Sequence, residues 1–140
     1  MPRPTESEFG EEPWETAEWR AANVAANRLL PRIFPELEAA YEREIVGTGS
    51  EDWSEDDGPH VVYSLVFYDF LESVLRTEPE DSELFVRTVG FLRFLMDNPD
   101  PDYVNLAQVG IGEFLEGMDL PPYAFRALPR GLLPHEWRTE

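Results

Sequence analysis

The sequence predicts an all-α fold with about five main helices, arranged as a compact bundle or a short solenoid-like array. Apolar residues recur every three to four positions along most of the chain, which is the spacing of amphipathic helices. Proline and glycine divide these stretches into segments of helix length. With 140 residues, 42% of them hydrophobic, the chain is long enough to bury a real core as one domain.

The first helix is predicted over 14–30. Residues 1–12 are rich in Pro and Glu, and we expect a flexible acidic segment there, followed by a single helical domain over 13–140. Pro13 suits the first position of a helix. The predicted face of this helix has small residues that allow close approach of a neighbouring helix, and it consists of Ala17, Ala21, Val24, Ala25, Arg28 and Leu29.

A second helix is predicted over 36–46. Pro31 and Pro35 are expected to end or kink the helix before it, because proline removes a backbone donor and clashes with the preceding turn. Gly47 is expected to end the second helix, and residues 47–58 then form a polar, acidic loop.

The most apolar stretch, 60–76, follows Pro59 and is predicted as one central helix of about 17 residues. It is apolar on most sides and lacks the two-residue alternation of a strand. Asp69 lies within it, where an unpaired charge would be costly. We therefore expect a structural salt bridge with Arg87 or Arg93 of the next helix, or a helix cap.

The next helix is predicted over 83–96, with acidic residues near its start, where they favour the positive end of the helix dipole. Its aromatic residues Phe85, Phe91 and Phe94 are expected in the core.

A fifth helix is predicted to begin with Asp100 as N-cap and Pro101 at the first position. Gly117 marks its end, and the Pro-rich C-terminal segment is expected to form short helical turns packed across the other helices.

The net charge of −18 arises from 29 acidic residues against 11 basic residues, all of which are arginine. Such a field repels nucleic acid and anionic membranes and attracts basic partners. Salt adaptation is an alternative source of acidity, and a GC-rich genome explains the missing lysines but not the shortage of cations. Ordinary solubility needs a charge magnitude of only about 2–8. We expect a basic protein partner, no direct nucleic acid and no membrane.

Catalytic and metal-binding patterns are scarce. Cysteine and lysine are absent, and the two histidines, His60 and His135, do not form a metal-binding pair. The acidic loop fails the calcium-loop pattern because Trp53 would occupy the first ligand position. The sequence therefore predicts a protein that is not an enzyme and has no metal or cofactor.

The acidic loop contains the strongest candidate interaction site. An exposed tryptophan among acids is typical of an interface, because aromatic anchors provide affinity and charge provides fast association. The alternative is a solvated loop that contributes little to stability. Two acids on helical faces complete the candidate partner-binding set, which consists of Glu51, Asp52, Trp53, Glu55, Asp56, Asp57, Glu72 and Glu116.

Residues between 63 and 116 resemble a known family over somewhat more than a third of the chain. The resemblance lies in Phe-Tyr-Asp-Phe-Leu at 67–71, Leu-Phe-Val-Arg at 84–87, Phe-Leu-Arg-Phe-Leu at 91–95, Asp-Tyr-Val-Asn-Leu at 102–106 and Val-Gly-Ile-Gly-Glu-Phe-Leu-Glu at 109–116. These segments are similar to small acidic, all-helical immunity proteins encoded beside bacterial polymorphic or contact-dependent toxins. Residues 95–97, Leu-Met-Asp, replace the family's usual Glu, and no functional residue transfers.

This resemblance implies an immunity protein that neutralises a cognate basic toxin. A toxin that acts on nucleic acid needs a cationic cleft, which acidic side chains are suited to occlude. The alternative is a DNA-mimic inhibitor of a nuclease or another DNA-binding protein. We expect a cytoplasmic protein, and a monomer is favoured.

Overall fold

A computed structural model of the chain describes residues 16–46 and 54–133, and within these ranges every regular element is helical, with no strand. The all-α prediction is confirmed. The fold divides between Val62 and Tyr63 into two compact units, which are described in turn. The prediction of a single domain over 13–140 stays a prediction, and the N-terminal segment 1–12 lies outside the described residues. Among the helices described, none is long and apolar enough to cross a membrane.

Helix α1 (Ala17–Ile33) opens the first unit. Thr16 caps it, because its hydroxyl accepts a hydrogen bond from the Trp19 amide at 3.1 Å. The helix continues through Pro31, which corrects the predicted end at residue 30. A proline this close to the terminus removes one hydrogen bond, and the last turn is still closed by the Phe34 amide, which donates to the Leu30 carbonyl at 2.8 Å.

The buried face of α1 differs from the predicted one. Asn23, Ala26, Asn27 and Leu30 are buried, whereas the predicted alanines are exposed. Alanine occupies both faces of this helix, so apolar spacing alone does not determine which face is inside. The buried face contains two asparagines, and these organise the candidate site.

Helix α2 (35–46) follows at once and confirms the predicted second helix. It begins as a 3-10 turn (Pro35–Leu37), continues as one α-helical turn (Glu38–Tyr41) and ends in a π-helical turn (Glu42–Val46). Among the described residues of the first unit, the buried apolar ones are Ala26, Leu30, Phe34, Leu37, Tyr41, Ile45 and Val62.

The predicted helix over 60–76 is divided into α3 (Pro59–Val66) and α4 (Tyr68–Thr77). The division is at Phe67, whose φ of −103° departs from the helical value near −63°. The fully buried Phe67 ring packs edge-on against Tyr63 and Phe91, with centroids 5.9 and 5.6 Å away. Local periodicity does not encode this interruption, which coincides with an aromatic cluster.

Asp69 lies in the first turn of α4 and is exposed to solvent. It forms no salt bridge with any described residue, so the expected bridge to Arg87 or Arg93 is wrong. A carboxylate in this position favours the positive end of the helix dipole and needs no buried partner. Arg87, one of its two proposed partners, binds Glu83 through two hydrogen bonds of 2.8 and 2.7 Å.

Helix α5 (Glu83–Met96) has the predicted limits and is capped by Ser82, whose hydroxyl accepts from the Phe85 amide at 3.0 Å. Phe85 and Phe91 are buried as predicted. Phe94 is 46% exposed, which corrects its assignment to the core. Its ring contacts those of Phe91 and Tyr103, but these contacts leave nearly half of the side chain exposed to solvent.

Helix α6 (101–115) begins at Pro101 with Asp100 as N-cap, as predicted, and its middle is a π-helical stretch (Leu106–Gly112). Gly117 follows with φ +81°, which favours glycine. A short helix α7 (Pro122–Ala127) comes next. Gln108 then donates to the Gly131 carbonyl at 3.2 Å, which ties the described part of the C-terminal segment, up to residue 133, to α6. The described residues thus form seven helices, because one predicted helix is divided and the C-terminal segment contains another.

Candidate functional site

The candidate acidic loop is described from Ser54 onward, whereas Glu51, Asp52 and Trp53 lie outside the described residues. Residues 54–57 form a tight turn in which the Asp57 amide donates to the Ser54 carbonyl at 3.1 Å. The Ser54 amide donates to Asp57 Oδ2 at 2.7 Å, and the Ser54 hydroxyl donates to Asp56 Oδ1. The turn is therefore shaped by its own carboxylates.

Two buried asparagines of α1 bind the backbone of this turn through hydrogen bonds. Asn23 Nδ2 donates to the Asp56 carbonyl at 3.0 Å. Asn27 Nδ2 donates to the carbonyls of Glu55 and Asp57, both at 2.8 Å. The asparagines are four positions apart and hence lie on the same helix face. Their amides satisfy three consecutive backbone carbonyls that would otherwise be costly to bury.

Glu55 is bound by two further side chains. Arg28 donates from Nε to Oε2 at 2.7 Å and from Nη2 to Oε1 at 3.0 Å, which is a bidentate pair. The Tyr41 hydroxyl donates to Oε2 at 3.0 Å. The hydrogen bond from Arg28 lowers the pKa of the Glu55 carboxyl against the opposing effect of its partial burial. Burial, reinforced by the bond to Glu55, raises the pKa of Tyr41, which therefore stays protonated as the donor.

For residues 55–57, these contacts contradict the alternative of a solvated loop with little effect on stability. Glu55, Asp56 and Asp57 are all partly buried, and the backbone between them is bound to α1. Acidic residues in a turn fixed in this way lose little conformational entropy when a partner binds. The turn is a preorganised acidic surface.

Two clefts flank the turn within the first unit. The larger, of about 460 Å³, lies beside the Glu55 contacts and is also lined by Arg32, Glu38, Glu42 and Val46. The smaller, of about 360 Å³, is lined by Val24, Ile45, Val46, Ser54, Glu55 and Asp56. Glu55 and Val46 line both clefts.

The two remaining candidate acids belong to the second unit. Glu72 accepts from Arg76 Nε at 2.8 Å, an exposed pair that partly neutralises its charge and contributes little energy. Glu116 is exposed just after α6. The structure thus brings Glu55, Asp56 and Asp57 together in one turn, and Glu72 and Glu116 are in other elements.

The sequence prediction missed Asn23, Asn27, Arg28 and Tyr41. One available signal was the pair of asparagines four positions apart within an alanine-rich helix, because asparagine is a poor helix former and its presence there needs a reason.

Over residues 16–46 and 54–133, no three His, Cys, Asp or Glu side chains are grouped closely enough to hold a metal ion. Comparison with known proteins adds no assignment: no family model, no curated protein and no solved structure matches this chain.

Proposed function

We propose that this protein is an immunity protein that binds a cognate basic bacterial toxin and occludes its active site. The observation that carries the proposal is the acidic turn 54–57, which is fixed to α1 by Asn23 and Asn27 on a chain of net charge −18. The charge accelerates association with a cationic cleft, and the fixed turn presents carboxylates at low entropic cost.

The nature of the partner follows from the sign of the field. A toxin that acts on nucleic acid holds phosphates in a cationic cleft, and carboxylates are suited to compete for the same cations. The resemblance noted for residues 63–116 bears only on the class of immunity protein and does not identify the toxin. The proposal implies action in the cytoplasm of the cell that makes the toxin, with no cofactor and no enzymatic activity.

Co-expression with the product of the adjacent open reading frame tests the proposal. We expect the neighbouring protein to be basic and toxic when it is expressed alone, and we expect growth to be restored when this chain is expressed with it. A variant with the same fold but Asp56→Asn and Asp57→Asn should protect less well. A neighbour that is harmless, or toxicity that this chain does not relieve, would contradict the proposal.

Purified protein gives a second readout. The chain should inhibit its cognate toxin at a stoichiometric ratio and leave unrelated nucleases active. Equal inhibition of unrelated DNA-binding enzymes would instead indicate a DNA mimic.

A further inference from the structure

An apolar strip, consisting of Val24, Ile45 and Val46, lies beside the acidic turn. All three residues line the smaller cleft, and Val46 also lines the larger one. Val46 is 44% exposed, which is high for a large apolar side chain next to buried Ile45. A single exposed valine would need no explanation. Here it belongs to two adjoining clefts whose other walls carry acids.

The acids around the strip differ in their availability to a partner. Glu55 is occupied by Arg28 and Tyr41. Glu42 lines the larger cleft, is exposed and forms no ion pair with any described residue. Asp56 lines the smaller cleft and accepts a hydrogen bond from Ser54 at Oδ1, and no described residue binds its Oδ2, which is left for a partner. An available carboxylate is therefore present in each cleft, and Val46 is common to both.

Glu38 strengthens the negative character of the larger cleft. It is exposed, forms no ion pair with any residue of the described ranges and lies four positions before Glu42 on α2. Glu38 and Glu42 line the same cleft, so their like charges repel each other. A bound cation would relieve this repulsion.

We propose that the apolar strip is the docking site for a segment of the basic partner that carries a long cationic side chain. The aliphatic stem of that side chain packs on Val46, and its charged head pairs with Glu42 or Asp56. Lysine and arginine bury their stems on apolar surface and keep their charged heads at its edge, which matches an apolar strip with an acidic border. This inference rests on the proposed function and adds the contact surface to it.

Arg32 supplies an internal competitor. It lines the larger cleft together with Glu38 and Glu42, and it has no ion pair among the residues described. Its positive charge lies in the same cleft as the two glutamates and therefore opposes the entry of another cation. Removal of this charge should therefore favour docking more than removal of an equivalent charge elsewhere.

The test uses the full chain and a synthetic peptide of defined sequence, Ser-Arg-Leu-Ser-Arg-Leu-Ser-Arg-Leu-Ser, with a second peptide in which Glu replaces Arg. Backbone NMR shifts locate the binding site, and a titration gives Kd. We expect the arginine peptide to shift the amides of Val24, Ile45, Val46 and Asp56, and the glutamate peptide to shift none of them.

Matched variants separate the docking site from the general field. Val46→Ser should weaken peptide binding roughly three- to tenfold, because it removes about 1 kcal/mol of apolar contact. Val86→Ser, at a 58% exposed valine of α5, should change it less than twofold. Arg32→Gln should tighten binding more than Arg20→Gln, which removes the same charge at an exposed position of α1 outside the clefts.

Several outcomes would overturn the inference. These are the absence of measurable binding, shifts that cluster away from the strip, equal effects of the two valine variants, or equal effects of the two arginine variants. The co-expression test is independent of peptide binding, so failure of the docking site can be distinguished from failure of the proposed function. If Val46→Ser and Arg32→Gln leave protection unchanged, the docking site is wrong and the proposed function stands. If the peptide binds at the strip but the chain does not protect cells, the proposed function is wrong and the docking site stands.

Discussion

At the scale of single residues, Asn27 contributes most to the position of the acidic turn. Its side chain is fully buried, and its amide nitrogen serves two carbonyls of a segment that is 28 and 30 positions away in the sequence. Asn23 serves one carbonyl and is 6% exposed. Because Asn23 donates one hydrogen bond to the turn and Asn27 donates two, the effects of replacing each can be compared directly.

We expect Asn27→Ala to lower the free energy of unfolding by about 2–4 kcal/mol and Asn23→Ala by about 1–2 kcal/mol, because each buried carbonyl left without a donor is costly. Urea unfolding measures both changes. Hydrogen exchange should show faster exchange of the amides at 54–58 in the Asn27 variant. Equal, small effects would mean that the turn does not depend on these amides.

Glu55 gives the same turn a dependence on pH. Its pKa is lowered in the fold, chiefly by the hydrogen bond from Arg28, and returns to its ordinary value of 4.5 on unfolding. The folded state therefore binds this proton more weakly than the unfolded state. The resulting stabilisation is fully present above about pH 4.5 and is lost as the pH falls through the lowered pKa.

The stability difference between the parent and Glu55→Gln should consequently be constant from neutral pH to above 4.5 and should shrink on further acidification. Unfolding curves at a series of pH values measure it. In an Arg28→Gln background the difference should be smaller above pH 4.5 and should vary less with pH, since the hydrogen bond from the guanidinium is the largest cause of the shift. A difference that grows below pH 4.5 would contradict this assignment.

At the scale of elements, the π-helical stretch of α6 packs closely against the C-terminal segment. A Cβ atom at Gly112 would overlap the backbone carbonyl of Leu132, which no side-chain rotation relieves. Gly90, by contrast, lies in the middle of α5 with nothing within 4 Å of the position of a Cβ atom. Substitution by alanine should therefore have opposite effects on stability at these two glycines.

Gly112→Ala should destabilise the protein by about 1–3 kcal/mol, as overpacking does. Gly90→Ala should stabilise it by about 0.5–1 kcal/mol, because alanine loses less entropy in a helix. Thermal and urea unfolding of both variants measure the changes. If Gly112→Ala were neutral, the C-terminal segment would not be held against α6.

At the scale of the whole molecule, the net charge of −18 opposes folding through self-repulsion and favours binding of a basic partner. Salt weakens both effects, because the Debye length falls to about 8 Å at 0.15 M ionic strength. Stability and association should therefore respond to salt in opposite directions.

We expect Tm to rise by several degrees between low salt and physiological ionic strength and to level off beyond it. Association with a basic partner should slow over the same range. A Glu38→Gln, Glu42→Gln variant, with two fewer negative charges, should show a smaller rise in Tm. A Tm that is insensitive to salt would mean that self-repulsion is already compensated within the fold.

The sequence by itself determined the fold class, the limits of α5, the Asp100 cap of α6 and the sign of the molecular field. Each of these depends on residues close together in the chain or on composition alone. Caps, prolines and apolar spacing act within one or two turns, and charge is a sum over residues. Local rules therefore suffice for them.

Only the tertiary structure decided which face of α1 is buried, where the helix over 60–76 is interrupted, and that Glu55 is bound rather than solvated. Each of these depends on partners distant in sequence, such as Asn27 with Asp57 or Phe67 with Phe91. Alanine, asparagine and arginine are compatible with several surroundings, so their local pattern does not select one. Their surroundings are decided by the burial of backbone carbonyls and aromatic rings. This burial occurs only once the helices have packed.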